Sequence, residues 1–112
     1  QFIRVGTLAI MRGGSRASRD LPPYAIIDDT HTVKGVNIVG LKRAGLATPS
    51  IAALRRAFRL LFFRRGNLKA ACARVEQEVE PTPEVAHLLE FIRAAKRGVA
   101  MGPKDAGDAD SE

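Results

Sequence analysis

Cysteine occurs once in the 112 residues, as Cys72. A single thiol closes no internal disulfide and leaves no CxxC pair for a cysteine-based zinc site, so neither a secreted disulfide scaffold nor a zinc ribbon is supported. A reducing, cytoplasmic setting is expected. Histidine is scarce too, at His31 and His87 only. No apolar run approaches the roughly eighteen residues that a membrane-spanning helix needs, no leader pattern is visible, and no transmembrane segment is expected. The chain opens on Gln1 rather than Met and enters patterned sequence at once, so a preceding segment is expected.

What the chain has in excess is positive charge. Formal charge is +6, and the last eleven residues hold four acids against Lys104, which leaves +9 on residues 1–101. Such an excess suits phosphates, whether on a nucleotide, a nucleic acid or an anionic membrane surface, and charge alone does not choose among them.

From Ile3 to Leu21 apolar or small residues recur every six positions, with Val5, Met11 and Ala17 in one row and Ile3, Ala9, Ser15 and Leu21 in another. Six is the period of a hexapeptide β-helix, which turns after each short strand and stacks like residues; Gly6, Gly13 and Gly14 suit its tight corners. Three hexads make about one coil. One coil cannot bury its own face, because roughly three or more repeats are needed, so further coils upstream are expected.

Asp20-Leu21-Pro22-Pro23-Tyr24 ends the repeat, since prolines remove backbone donors and fix φ, and Ala25-Ile26-Ile27 reads as a terminal strand. Asp28-Asp29-Thr30 marks a turn. The period then becomes helical. A first helix is expected over about Asn37 to Ala44, ending at Gly45. A second has Thr48 as N-cap and Pro49 in first position, an apolar stripe of Ile51, Leu54, Phe58, Leu61 and Phe62, and a stop at Gly66. Asn67 caps a third helix with Leu68, Ala71, Cys72, Val75 and Val79 inward, stopped by Pro81. Thr82 and Pro83 start a fourth, lined by Val85, Leu88, Leu89, Ile92 and Ala95 and ending near Gly98. His87 is expected on its surface. Residues 102–112 read as a disordered acidic tail.

Two nucleotide-type readings fail on chemistry. Gly35 to Lys42 lacks the lysine immediately after the second glycine, and the Ser or Thr after it, that a phosphate loop requires. A helix-turn-helix over the second and third helices would put Glu76, Glu78 and Glu80 against DNA phosphates, which repel them, so no nucleic-acid partner is expected. Arg55, Arg56, Arg59, Arg64 and Arg65 on the second helix form either a solvated face or a dock for a strongly acidic protein.

The order of these segments and their local words resemble the end of the bacterial UDP-N-acetylglucosamine O-acyltransferase family. The words are the DxPPY exit at 20–24, Gly35-Val36-Asn37-Ile38-Val39-Gly40-Leu41-Lys42-Arg43, and Phe91-Ile92-Arg93-Ala94-Ala95-Lys96-Arg97-Gly98. The resemblance runs from Gln1 to about Gly98. It implies the end of a left-handed parallel β-helix over residues 1–34, a small all-α C-terminal domain over 35–101, and a homotrimer with active sites between subunits. It further implies transfer of a 3-hydroxyacyl group from acyl carrier protein to UDP-N-acetylglucosamine in lipid A biosynthesis, with no cofactor or metal. The family's general base is a histidine on an upstream coil, so no catalytic residue is assigned in this chain and the chain alone is expected to be inactive.

The same resemblance makes Gln1, Asn37, Arg43 and His31 substrate-binding residues and places Gly13 and Ile10 in the acyl groove, with Gly13 limiting its depth. A guanidinium at Arg43 has the planar donor set that diphosphate oxygens require. On chemistry alone Asn37 reads equally as an N-cap and Arg43 as a solvated helix residue. The family's usual word is NxEGLKRRG; Val39 stands here at the acid and Ala44 at the second arginine, which removes two nucleotide contacts. The competing reading of the chain is a noncatalytic helical module that binds an acidic protein.

Overall fold

The computed structural model describes residues 6–11, 20–27, 32–64, 67–95 and 99–102. Three short strands and four helices follow in order: β1 (Ile10–Met11), β2 (Ala25–Ile27), β3 (Val33–Val36), α1 (Ile38–Arg43), α2 (Thr48–Phe62), α3 (Leu68–Glu78) and α4 (Pro83–Ala94). Strand β1 pairs with β2 in parallel, Ile10 opposite Ile26, and β3 returns antiparallel on the other edge of β2. The parallel pairing joins residues sixteen positions apart, two fewer than the eighteen of three hexads. Gly6 sits at the expected tight corner, where a Cβ would run into the backbone of Pro23. The remaining hexad rows, the acidic turn at 28–30 and the acidic tail lie outside the described residues, apart from Gly102 at the head of the tail.

The exit from the coil is held by a strained residue. Tyr24 has φ 69°, a left-handed conformation that costs a side-chain-bearing residue roughly 1–2 kcal/mol. Its N–H donates to Thr7 O and its carbonyl accepts from Asn37 N–H, both at 2.7 Å, so neighbouring segments over-determine the turn. The ring is buried.

Helix α2 is the centre of the molecule. All five residues of its predicted stripe are buried, and Ala53, Ala57 and Leu60 are buried as well, because β3 packs on one flank and α3 and α4 on another. Fully burying side chains such as Leu54, Phe58 and Leu61 contributes roughly 1.5–3 kcal/mol each. Its start differs from expectation by one residue. Ser50 and Ile51 donate to Ala47 O, so Ala47 is the cap, and its methyl offers the first turn no hydrogen-bond acceptor. The helix stops at Phe62, not Gly66. There the chain's return packs so closely that a Cβ on Gly102 would collide with the Phe62 carbonyl.

The other caps match the sequence reading. Asn67 Oδ1 accepts from Lys69 and Ala70 N–H at 2.7 and 3.2 Å, and Thr82 Oγ1 accepts from Val85 N–H at 3.2 Å. Helix α4 ends at Ala94, earlier than Gly98. Beyond it Val99 and Met101 form parallel bridges to Asp20 and Thr32, with Ala100 N–H donating to Asp20 O and Val33 N–H to Met101 O. The boundary expected between 34 and 35 falls inside β3, and this return carries the chain from the helices back to the strands.

Candidate substrate-binding surface

Helix α1 is short, and its two ends are fixed by different devices. At the start, Asn37 Oδ1 accepts the Gly40 N–H at 3.0 Å. At the end, Gly45 takes φ +90°, Gly45 N–H donates to Lys42 O and Leu46 N–H to Leu41 O, a Schellman closure that needs glycine at the left-handed position. Only Leu41 of the helix is fully buried. Lys42 and Arg43 are thereby presented to solvent on the last turn, where the helix dipole favours cations.

Of the six residues that the sequence nominated, three lie within the described residues. Arg43 is exposed at the end of α1. Asn37 is 5% exposed, and its side chain has two structural tasks: besides the cap, Nδ2 donates to Leu8 O at 2.9 Å, joining α1 to the chain before β1. Its second amide hydrogen has no acceptor among the described residues. Ile10 is 42% exposed on β1, and among the described residues Leu8 and Val39 are the other exposed large apolar side chains. Gln1, His31 and Gly13 lie outside the described residues.

His87 is not simply a surface residue of α4. It is half-buried, its ring stands edge-on to Tyr24 with centroids 6.0 Å apart, and Nε2 lies 3.4 Å from Thr7 Oγ1. Burial, and then the charge of Glu84, push the Tyr24 hydroxyl above its ordinary pKa, so it stays a neutral phenol over the working range. Cys72 is buried and its thiol is also pushed up, first by desolvation, which makes it a core residue and a poor nucleophile.

The second helix presents its arginines unevenly. Arg55 and Arg56 are exposed and Arg59 is half-buried; Arg64, expected on the helix, is exposed beyond its end at Phe62, and Arg65 lies outside the described residues. Arg55 and Arg59, one turn apart, border a cavity of about 290 Å³ shared with Lys34 of β3. Sequence reasoning did not join Lys34 to these arginines, because only the packing of β3 on α2 brings them together. Among the described residues no helix is long and apolar enough to cross a membrane.

Residues 20–100 match the family model described as UDP N-acetylglucosamine O-acyltransferase, domain 2. An acyl-[acyl-carrier-protein]–UDP-N-acetylglucosamine O-acyltransferase of Myxococcus xanthus is 38% identical over 100 residues, which are 88% of this chain and 39% of that protein. The protein of that name from Syntrophobacter fumaroxidans is 40% identical over 96 residues, 84% of this chain and 37% of its own length. A crystal structure of a UDP-N-acetylglucosamine acyltransferase from Bacteroides fragilis superposes with a TM-score of 0.85 at 37% identity, covering 88% of this chain and 39% of that one. The chain thus spans about two fifths of the length of the curated relatives it matches.

Proposed function

The chain belongs to the UDP-N-acetylglucosamine O-acyltransferase family, and from that premise we propose that it is part of an enzyme moving a 3-hydroxyacyl group from acyl carrier protein to UDP-N-acetylglucosamine in lipid A biosynthesis. The observation that carries the reading is the match of residues 20–100 to the family's second domain, within which α1 presents Lys42 and Arg43. In this reading the sugar hydroxyl attacks the thioester carbonyl of the donor and the carrier thiolate leaves. A histidine on a coil upstream of these residues accepts the hydroxyl proton.

This chain's residues bind and position. Arg43 offers its fork to the diphosphate, whose charge it matches at any working pH. Asn37 serves the nucleotide chiefly by holding α1 against the chain at Leu8, with one amide hydrogen left for a ligand. Gln1 and His31 contact the substrate, and Ile10 and Gly13 line the acyl groove. The exposed apolar Leu8, Ile10 and Val39 support burial against neighbouring subunits of a homotrimer, which completes each cleft. The enzyme works in the cytoplasm, as a left-handed parallel β-helix closed by the helical domain, without cofactor. The exposed arginines of α2 receive acyl carrier protein, whose acidic surface they complement.

The test is acyl transfer by the intact enzyme from 3-hydroxyacyl carrier protein to UDP-N-acetylglucosamine, alongside the isolated 112 residues. Turnover by the former and none above the no-enzyme rate by the latter is expected, since general base catalysis needs the missing proton acceptor. In the intact enzyme Arg43→Ala weakens UDP-N-acetylglucosamine binding by roughly 1.5–3 kcal/mol, the worth of a charged hydrogen bond. Unchanged affinity by calorimetry removes Arg43 from the site, and an intact enzyme inert toward both substrates overturns the reading.

A further inference from the structure

Helices α3 and α4 form a hairpin through residues 79–82, and each packs on α2 more than on the other. A cavity of about 370 Å³ is left between the two. Its floor is apolar and belongs to the core: Val75 and Val79 come from α3 and its cap, Val85 and Leu89 from α4, each 5% exposed or less. Three of these four are valines and the next residue of the lining, Ala86, is smaller still, so the facing side chains are too short to close the gap. Val75 and Val79 are four residues apart, as are Val85 and Leu89, so the trough runs about one helical turn, roughly 6 Å. Pro81 lines its end at the turn of the hairpin. At the other end Arg93 Nη1 donates to Glu76 Oε2 at 2.7 Å, a bond that spans the two helices and balances both charges.

One charge on the lining is left over. Glu90 is exposed and has no hydrogen bond or ion pair among the described residues, because Arg93, three residues on, is turned to Glu76. The cavity therefore couples an apolar floor to a single unbalanced negative charge, on a chain whose formal charge is +6. That combination selects a cation with an apolar body and disfavours an anion. The volume lies within the roughly 300–1,000 Å³ of small-molecule sites. One turn is too short for a docked helix, whose anchors repeat over two turns or more. Asn37, Arg43 and Ile10 are not among the lining residues. We propose that the cavity bounded by Val79, Pro81, Leu89 and Glu90 binds a small organic ammonium ion with a compact apolar body, the body on the valine floor and the cation at Glu90. The site goes beyond acyl transfer and stands whether or not that reading holds.

Benzylamine, an ammonium ion at neutral pH, is the probe, titrated into the intact protein at low ionic strength and followed by the amide shifts of Val79, Ala86 and Glu90. Saturable binding is expected, about two- to fivefold tighter than that of uncharged benzyl alcohol, the increment of one exposed ion pair, with benzoate weakest. Added salt narrows the preference. Glu90→Gln keeps the shape of the side chain and brings benzylamine and benzyl alcohol to the same affinity. Glu78→Gln, at an exposed acid of α3 outside the lining, leaves the preference in place. Ala86→Leu, at an exposed position that suits a helix, keeps every charge, fills the trough and abolishes binding of both. The proposal is overturned if benzylamine does not saturate or does not shift these amides, or if benzyl alcohol or benzoate binds as tightly, readings that need no variant to fold. It is equally overturned if the preference survives Glu90→Gln or is lost in Glu78→Gln, or if Ala86→Leu binds normally. A synthetic peptide alternating leucine and lysine completes the series: shifts at the same amides without benzylamine binding would make the trough a protein contact and sink the small-molecule site.

Discussion

Replacing Asn37 with alanine separates a positioning residue from a surface cap. The substitution removes the acceptor for Gly40 N–H and the donor to Leu8 O at once. A lost N-cap costs about 1 kcal/mol, and a lost part-buried amide-to-carbonyl bond about another 1 kcal/mol. Together they make about 2 kcal/mol, a sizeable part of the 5–15 kcal/mol typical of a folded domain. Asn37→Asp sharpens the experiment. Aspartate is as good an N-cap as asparagine on an exposed helix, so a residue that only caps would tolerate it. Here the new carboxylate would be almost wholly buried and would face the Leu8 carbonyl with no hydrogen to give, so it is expected to destabilise at least as much as alanine at neutral pH. Its carboxyl would then titrate above the unfolded value near 3.9, making the variant more stable as pH falls through the raised folded value toward that figure. The alanine variant has no such dependence. Urea unfolding at several pH values, followed by circular dichroism, measures both. An aspartate variant as stable as the parent at neutral pH would refute the Leu8 tie, and an alanine variant within about 0.5 kcal/mol of the parent would refute the whole account.

Two further perturbations follow from neighbouring geometry. A Cβ added at Gly40 would collide with the Asn37 amide, so Gly40→Ala is expected to cost about 1–3 kcal/mol, and most of that cost should vanish when Asn37 is already alanine; strictly additive unfolding energies would show that the two do not touch. Tyr24 is the only tyrosine, so phenolate absorbance reports it alone. Because its folded pKa is raised, its neutral form stabilises the fold fully below the ordinary value near 10, and that contribution is lost as pH rises through the higher folded value. Tyr24→Phe should therefore flatten the alkaline fall in stability, while a native-state titration at the ordinary value would contradict the burial argument.

The helices were legible because local chemistry specifies them. Asn67, Thr82, Pro83 and Gly45 act within three or four residues of themselves, and the stripe of α2 repeats at the helix period. What escaped depends on contacts distant in sequence. The Phe62 end of α2 is set by Gly102 packing on it, the half-burial of His87 by Tyr24 and Thr7, and the bridges at Val99 and Met101 by Asp20 and Thr32. Strand β3 offered only Val33 and Val36 around Lys34 and Gly35, too short a pattern to distinguish from a loop. Asn37 shows the same division at one residue. Its capping role could be read from its position before Ile38, whereas its bond to Leu8, twenty-nine positions away, could not.

The bridges from Val99 and Met101 to Asp20 and Thr32 also order events in time. They close loops of roughly 80 and 70 residues, and the entropy of bringing such distant points together must be spent before either contact returns anything. Helices α2, α3 and α4 form and dock through nearer neighbours, so the return to the strands comes late, and during synthesis it must wait until residue 101 has left the ribosome. Contacts made after the folding barrier hold the door shut without helping to open it. Loosening this return hastens unfolding and leaves the folding rate nearly unchanged, so the last few described residues govern how long the strands stay sealed to the helices.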